Sequence, residues 1–238
     1  MAQTHWNTNT VIETLIETGR VALEQFQNPD VSVKHDSTLV TQTDLRIEEM
    51  IRSRFADPAA GHHLIGEETA EEMDEQQLET ALSEHAWIID PIDGTACFAH
   101  GLGMWGISIG YSEAGTVTEG AILMPPTGEL FLTQGDEVLY GHEGPDPTHW
   151  RFEELERMEK PRGEEPGAGI ITITQDMAKR GRYTGASTVH ATGSCVYSVA
   201  HLARGSYRGY VGNVKIWDIA AGLAILDKLG FVMRSLSG

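Results

Sequence analysis

The 238-residue chain is long enough for one large globular unit or two closely joined halves, and its 40% apolar and 22% charged residues are ordinary for a folded protein. Acidic residues outnumber basic ones by 35 to 17, a formal charge of −18, and that field disfavours nucleic-acid polymers and anionic membranes as partners. No run reaches the roughly 18 apolar residues of a membrane span, and residues 1–9 lack the basic start and apolar stretch of a secretory leader, so a cytoplasmic location is expected, with Cys97 and Cys195 as reduced thiols.

Apolar residues at Val11, Leu15, Ile16 and Leu23 recur at helical spacing, and Asn28-Pro29 ends that helix. After a turn-like stretch at 34–37, Leu39-Val40 leads to Thr43-Asp44. There a second helix begins, carrying Leu45, Ile47, Met50, Ile51 and Phe55 as far as Asp57-Pro58. Leu64-Ile65 is a short apolar run that delivers Gly66-Glu67-Glu68, and 71–84 reads as an acidic surface helix. Trp87-Ile88-Ile89 has a buried-strand pattern and runs directly into Asp90-Pro91-Ile92-Asp93-Gly94-Thr95, where proline is expected to turn the chain. Runs at 105–111, 116–123 and 129–133 read as an antiparallel meander. The charged, Pro- and Gly-rich stretch 142–169 reads as a linker. Beyond it come a strand at 170–174, a helix at 195–203, a strand at 207–211 and a helix at 217–229. Helices mixed with strands on both sides of the linker predict a mixed α/β (α+β) layered fold, with sections 1–145 and 146–238.

The acidic residues at the ends of these runs carry the chemistry. A turn at Pro91 can aim the Asp90 and Asp93 carboxylates, and the Ile92 carbonyl between them, into one space. Mg²⁺ takes oxygen ligands and keeps several waters, so such a set suits it better than a His/Cys cage. Gly94-Thr95 adds backbone N–H groups and a hydroxyl where a phosphate could sit. Glu67-Glu68 and Asp218, in Trp217-Asp218-Ile219-Ala220-Ala221-Gly222, supply further acid. Taken singly, Asp218 is a helix cap, Glu67-Glu68 a solvated pair and Asp-Pro-x-Asp-Gly a turn. Together, and in this order, they read as a metal site, and cations there would reverse a field that otherwise repels a phosphorylated substrate. Gly101-Leu102-Gly103-Met104-Trp105-Gly106 fits GxGxxG but opens a strand, so no dinucleotide site is expected. His62-His63 reads as a surface pair, while His100 and His190 lie near the site segments.

The segment from Trp87 to Thr95 resembles the first signature of the inositol monophosphatase family of Mg²⁺-dependent, lithium-sensitive phosphatases, and Trp217 to Gly222 resembles the second. Ile65-Gly66-Glu67-Glu68 and Leu39-Val40-Thr41-Gln42-Thr43-Asp44 are similar to its upstream motifs, Gly193-Ser194-Cys195 to its substrate loop, and Lys34 to an N-terminal lysine. The resemblance implies a layered αβαβα sandwich acting as one catalytic unit, here ending before the family's last strand and helix, and a homodimer. It implies two to three Mg²⁺: a first on Glu67, Asp90 and the Ile92 carbonyl, a second on Asp90, Asp93 and Asp218, and a weaker third on Glu67. Asp44 and Thr95 would orient or deprotonate the attacking, metal-activated water, and Gly94 and Thr95 would hold the phosphate. Gly193, Ser194 and Cys195 would meet the substrate, with Glu68 and Lys34 as further contacts. The implied activity is hydrolysis of a small phosphorylated metabolite. The family's acidic contact to inositol hydroxyls is replaced here by Val211, which opens histidinol phosphate, sugar phosphates and 3′-phosphonucleotides as alternatives. A catalytically silent, metal-binding regulatory subunit is the reading from another class.

Overall fold

The computed structural model describes residues 5–33, 39–161, 169–181, 184–185 and 187–235. Lys34 and the turn-like stretch around it lie outside the described residues. The first helix, α1 (Thr8–Gln25), is capped by Asn7, whose side chain accepts from the Thr10 N–H. A hairpin of β1 (Val31–Val33) and β2 (Leu39–Thr41) leads into α2 (Gln42–Phe55). The start of α2 is a capping box: Thr41 accepts from the Thr43 and Asp44 N–H groups, and Asp44 accepts from the Thr41 N–H.

Seven strands make the main sheet: β3 (His62–Gly66), then, beyond α3 (Glu75–Ser83), β4 (His85–Asp93). After the short α4 (Thr95–Ala99) come β5 (Gly106–Glu113), β6 (Thr116–Met124), β7 (Glu129–Gln134), β8 (Glu137–His142) and β9 (Glu156–Arg157), in sequential order across the sheet. All neighbours pair antiparallel except β3 and β4, which run parallel because α3 provides the crossover. The acidic surface helix expected over 71–84 is shorter than read, because Asp74 caps α3 and the helix starts four residues later, at Glu75.

Alternation decides what each sheet face receives. Along β5 the large residues Ile107, Ile109 and Tyr111 point into the core beneath α1 and α2, with Trp87, Trp105 and Leu15. Gly106, Ser108 and Gly110 occupy the other face, where small residues leave room for helices. The chain continues through β10 (Ile170–Ile173), α5 (Gln175–Arg180), β11 (Thr188–His190), α6 (Cys195–Ala203), β12 (Gly209–Val211) and α7 (Ile216–Lys228). Helices α6 and α7 cover that second face, packing Val196, Val199 and Ile225 against Ile122, Met124 and Phe131. The strands β11-β10-β12 form a small parallel sheet. These layers run α, β, α, β, in the order of the expected αβαβα sandwich. No helix among the described residues is long and apolar enough to cross a membrane.

Glycine sets how close α7 lies. A Cβ on Gly110 would stand 2.7 Å from the Ala220 Cβ, and one on Gly120 would stand 2.7 Å from the Ala221 Cα. Gly120→Ala is therefore expected to destabilise the protein by about 2–3 kcal/mol, as overpacking in a tight core does. A urea midpoint within error of wild type would refute this packing account.

Two readings need correction here. Residues 142–161 are not a free linker: Trp150 and Phe152 are buried in the first core and Arg20 donates to the Pro147 carbonyl. His62 is no plain surface residue, since its half-buried ring lies 4.0 Å from that of His5 and 5.1 Å from that of His85.

Candidate metal-dependent active site

The site forms where carboxyl ends of strands converge. Because β3 and β4 run parallel, Gly66 stands opposite Ile89, and the Glu67 N–H donates to the Ile89 carbonyl at 3.2 Å. Glu67 thus follows β3 at the level where Asp90 emerges from β4. Ala86 and Ile88 face α7, so alternation sends Asp90 to the same side. The chain does not turn at Pro91 as expected. It stays extended to Asp93, with the pairing register slipping between Asp90 and Asp93. A proline without an N–H fits such an irregularity, which re-aims the side chains on either side of it.

Asp218 arrives from the first turn of α7, where its Oδ2 accepts from the Lys215 N–H at 2.9 Å. Oxygens of Asp90, Asp93 and Asp218 lie within 4.8 Å of one another. Three like charges so close are unfavourable without a counter-ion. Burial first, then Glu67, Asp93, Asp218 and Asp44, pushes the Asp90 carboxyl well above the usual carboxylate range. Burial also raises Asp93, to about 7, against hydrogen bonds that favour its ionised form, and raises Asp218. Asp90 Oδ1 is buried with no hydrogen-bond partner among the described residues. An orphaned carboxylate oxygen in an all-oxygen cluster fits a hard divalent cation such as Mg²⁺.

Asp93 is tied to the small-sheet side. Ser194 Oγ donates to its Oδ2, the Val196 N–H donates to the same oxygen at 2.7 Å, and the Cys195 N–H donates to Oδ1 at 3.1 Å. These are the free donors at the start of α6, which Ser194 also caps through the Tyr197 N–H. Ser194→Ala is expected to lose about 1 kcal/mol of stability with the cap. It should also weaken divalent-cation binding about tenfold, since an outer hydrogen bond orients the ligand. A cation titration followed by melting temperature checks both, and unchanged affinity would count against the orienting role.

Thr95 and Asp44 form a second group. Thr95 Oγ1 donates to the Ile92 carbonyl at 3.0 Å and reaches Asp44 Oδ1 at 3.5 Å. The Ile92 carbonyl therefore already accepts one bond and keeps a second lone pair for a cation. Asp44 is fully buried behind Thr95, its Oδ2 held by the Thr41 hydroxyl and N–H, and burial raises its carboxyl to about 6. Gly94 has φ +91°, and a Cβ there would stand 2.8 Å from the Met104 carbonyl oxygen, so only glycine fits at the start of α4. Gly193, at φ +80°, makes the corresponding bend before Ser194.

A cleft of about 810 Å³ runs between the two sheets. Glu67, Asp90, Asp93, Gly94, Thr95 and Asp218 line it, together with Gly193, Ser194 and Cys195. All three strands of the small sheet lead to this cleft, β10 just before Thr174, and β11 and β12 two residues before Thr192 and Asn213. Glu67 shares the cleft but not the tight group of three carboxylates. Glu68 is held by its N–H on Glu48, and its charge raises Asp44. Val211 lies on β12 and does not line the cleft, whereas Tyr210, Asn213, Val214 and Lys215 do. His100 and His190 are exposed outside it.

Glu48 was not read from the sequence. Its buried carboxylate accepts from the Glu68 N–H at 3.0 Å and from Arg52 at 2.9 Å, and a Cβ on Gly66 would collide with it. It fixes the bend that presents Glu67. An acid four residues before Arg52 on one helix was the available signal.

In comparison with known proteins, the Inositol monophosphatase family matches residues 6–238. Inositol-1-monophosphatase of Mesorhizobium japonicum is 26% identical, covering 97% of this chain and 85% of its own. Histidinol-phosphatase of Chlorobaculum parvum is 28% identical, covering 92% and 82%. The extragenic suppressor protein suhB from Bartonella henselae has the same fold, with a TM-score of 0.72 at 21% identity over 93% of this chain and 84% of its own.

Proposed function

From the inositol monophosphatase family, to which this chain belongs, we propose that it hydrolyses a small phosphate monoester with two to three Mg²⁺ ions held in the cleft. It is a phosphoric monoester hydrolase. The observation that carries the metal assignment is the buried, unpartnered Asp90 oxygen beside Asp93 and Asp218.

In this reading Glu67, Asp90 and the Ile92 carbonyl hold one cation. Asp90, Asp93 and Asp218 hold another, and Glu67 serves a weaker third. When bound, Mg²⁺ supplies a lowered pKa for water and charge neutralisation on phosphate and leaving-group oxygens. Thr95 and Asp44 handle the proton: Thr95 Oγ1 accepts it from the attacking water while passing its own toward Asp44 Oδ1. A carboxyl raised to about 6 is matched to that task near neutral pH. Gly94 and Thr95 N–H groups hold the phosphate. The alcohol meets Gly193, Ser194 and Cys195, together with Tyr210 and Asn213, which flank Val211, the residue that stands in place of the acid that would read inositol hydroxyls. Cys195 contributes backbone rather than sulfur chemistry, because burial pushes its thiol far up.

The test is phosphate release from a panel of inositol, sugar, histidinol and nucleoside phosphates, with Mg²⁺, with chelator and with added Li⁺. Turnover that requires Mg²⁺ and falls with Li⁺ supports the reading. No turnover of any ester with Mg²⁺ present would return it to a silent, metal-binding subunit. Light scattering on the eluted protein tests the homodimer expected from the family.

A further inference from the structure

Three histidines meet at the opposite end of the two strands that deliver Glu67 and Asp90. His62 opens β3 and His85 opens β4, and the parallel register sets them side by side. Alternation puts His62 on the face of Leu64 and His85 on the face of Trp87, at the rim of the first core. His5, from the segment ahead of α1, completes the group. Its ring lies 4.0 Å from that of His62 and 5.4 Å from that of His85, and those two are 5.1 Å apart. The next residue, Trp6, is buried, stacks on Trp87 at 5.7 Å and donates its indole N–H to the Thr133 carbonyl at 3.1 Å. Whatever holds His5 in place therefore also holds Trp6 in the core.

The surroundings suit three neutral rings and not three charged ones. His62 Nδ1 is buried with no hydrogen-bond partner among the described residues. His85 Nδ1 faces the Tyr111 hydroxyl at 3.0 Å, and Glu113, opposite His85 on β5, bonds that same hydroxyl. His63 is engaged by Glu84 at 2.6 Å, and the Asp57 carboxylate accepts from the Ala60 N–H. Each nearby acid thus already has a use. Burial, then His5 and His85, holds the His62 imidazole below its ordinary value of 6.5; the charge of Asp57 opposes this and His63 adds to it. Imidazole is the side chain that changes charge near neutrality, and imidazolium ions at ring-contact distance repel one another. We propose that His5, His62 and His85 form a pH-sensitive latch, which seats the N-terminal segment on β3 and β4 while the rings are neutral and releases it when they take up protons. His5 is the member that leaves, because the other two are fixed in strands. The released segment binds protons that the seated one resists, so seating weakens as pH falls through the imidazole range. The cleft carboxyls, which hold extra protons when folded, act on global stability in the opposite sense.

Hydrogen exchange of the Trp6 indole N–H, followed by NMR in the full chain and identified with Trp6→Phe, reads release directly. Its protection should fall about tenfold between pH 7.5 and pH 5.5, the change that one proton taken up on release produces. His5→Gln and His62→Gln keep a polar side chain without an ionisable ring, and each should flatten that dependence. His5 is exposed, so its replacement leaves the fold intact. The cleft carboxyls titrate alike in all three proteins, and the difference between them isolates the imidazoles. The Trp150 indole, bonded to the Gly144 carbonyl at 2.8 Å in the same core, should not lose protection over this range. Constant Trp6 protection in the wild-type protein, or a fall of the same size in both glutamine variants, overturns the latch. An equal fall at Trp150 overturns it as well, since the whole protein would then be opening.

Discussion

Asp90→Asn is expected to abolish turnover while raising the melting temperature of the metal-free protein. Asp90 Oδ1 has no partner to lose, and the substitution preserves shape. What disappears is one of three carboxylate charges held within 4.8 Å. With it goes much of the affinity for the cations on which electrostatic stabilisation of the transition state depends, a loss of about 10³-fold or more in turnover. The apo protein is relieved of buried repulsion, on the order of 1–3 kcal/mol, or several degrees in melting temperature for a domain of this size. Asp93→Asn should differ. Its carboxylate accepts from Ser194, Cys195 and Val196, so an amide NH₂ must face a donor and the start of α6 is destabilised. Activity would fall in both variants, but stability would move in opposite directions. Retained turnover in Asp90→Asn would sink the metal assignment; an unchanged or lower apo melting temperature would sink the account of repulsion.

The second expected result is a pH-dependent stabilisation by Mg²⁺. Unfolded, these carboxyls ionise near 3.8, whereas folded and metal-free Asp44 keeps its proton to about 6 and Asp93 to about 7. Between those values the folded state holds more protons than the unfolded one, so stability falls as pH rises through the window. Mg²⁺ takes the ionised cluster and is weakly bound while the protons remain. The difference in melting temperature between Mg²⁺-saturated and chelated protein should be small near pH 5 and grow to roughly 5–10 °C by pH 8. A constant difference across that range would show that the cluster does not titrate with folding.

How far the sequence could be read depends on the range of the interaction concerned. Asp90, Asp93 and Glu67 stand at the ends of apolar strands and Asp218 at the start of a helix, so local pattern located them. The links between them are another matter. Asp93 meets the start of α6 across a separation of 101 residues or more, and no local propensity announces such a partner. Some misses did have a local signal. Gly135-Asp136 is a two-residue hairpin turn between β7 and β8, with Gln134 paired to Glu137, yet β8 was absent from the sequence reading. Trp150 and Phe152 are aromatic anchors inside a stretch whose prolines and glycines suggested a linker. Proline at 91 indicated a turn, but an irregularity within a strand satisfies the same backbone constraint.

The glycines beneath α7 bear on more than the helix they admit. Asp218 rides on α7, while Asp90 and Asp93 ride on β4, and the spacing of helix and sheet at Gly110 and Gly120 sets how far apart they stand. Mg²⁺ accepts little deviation from octahedral geometry. The dimensional tolerance of the metal centre is thus inherited from a close-packed seam made of residues that touch neither cation nor substrate. Substitutions that widen this seam by a fraction of an ångström belong, in their consequences, with those of the ligands themselves.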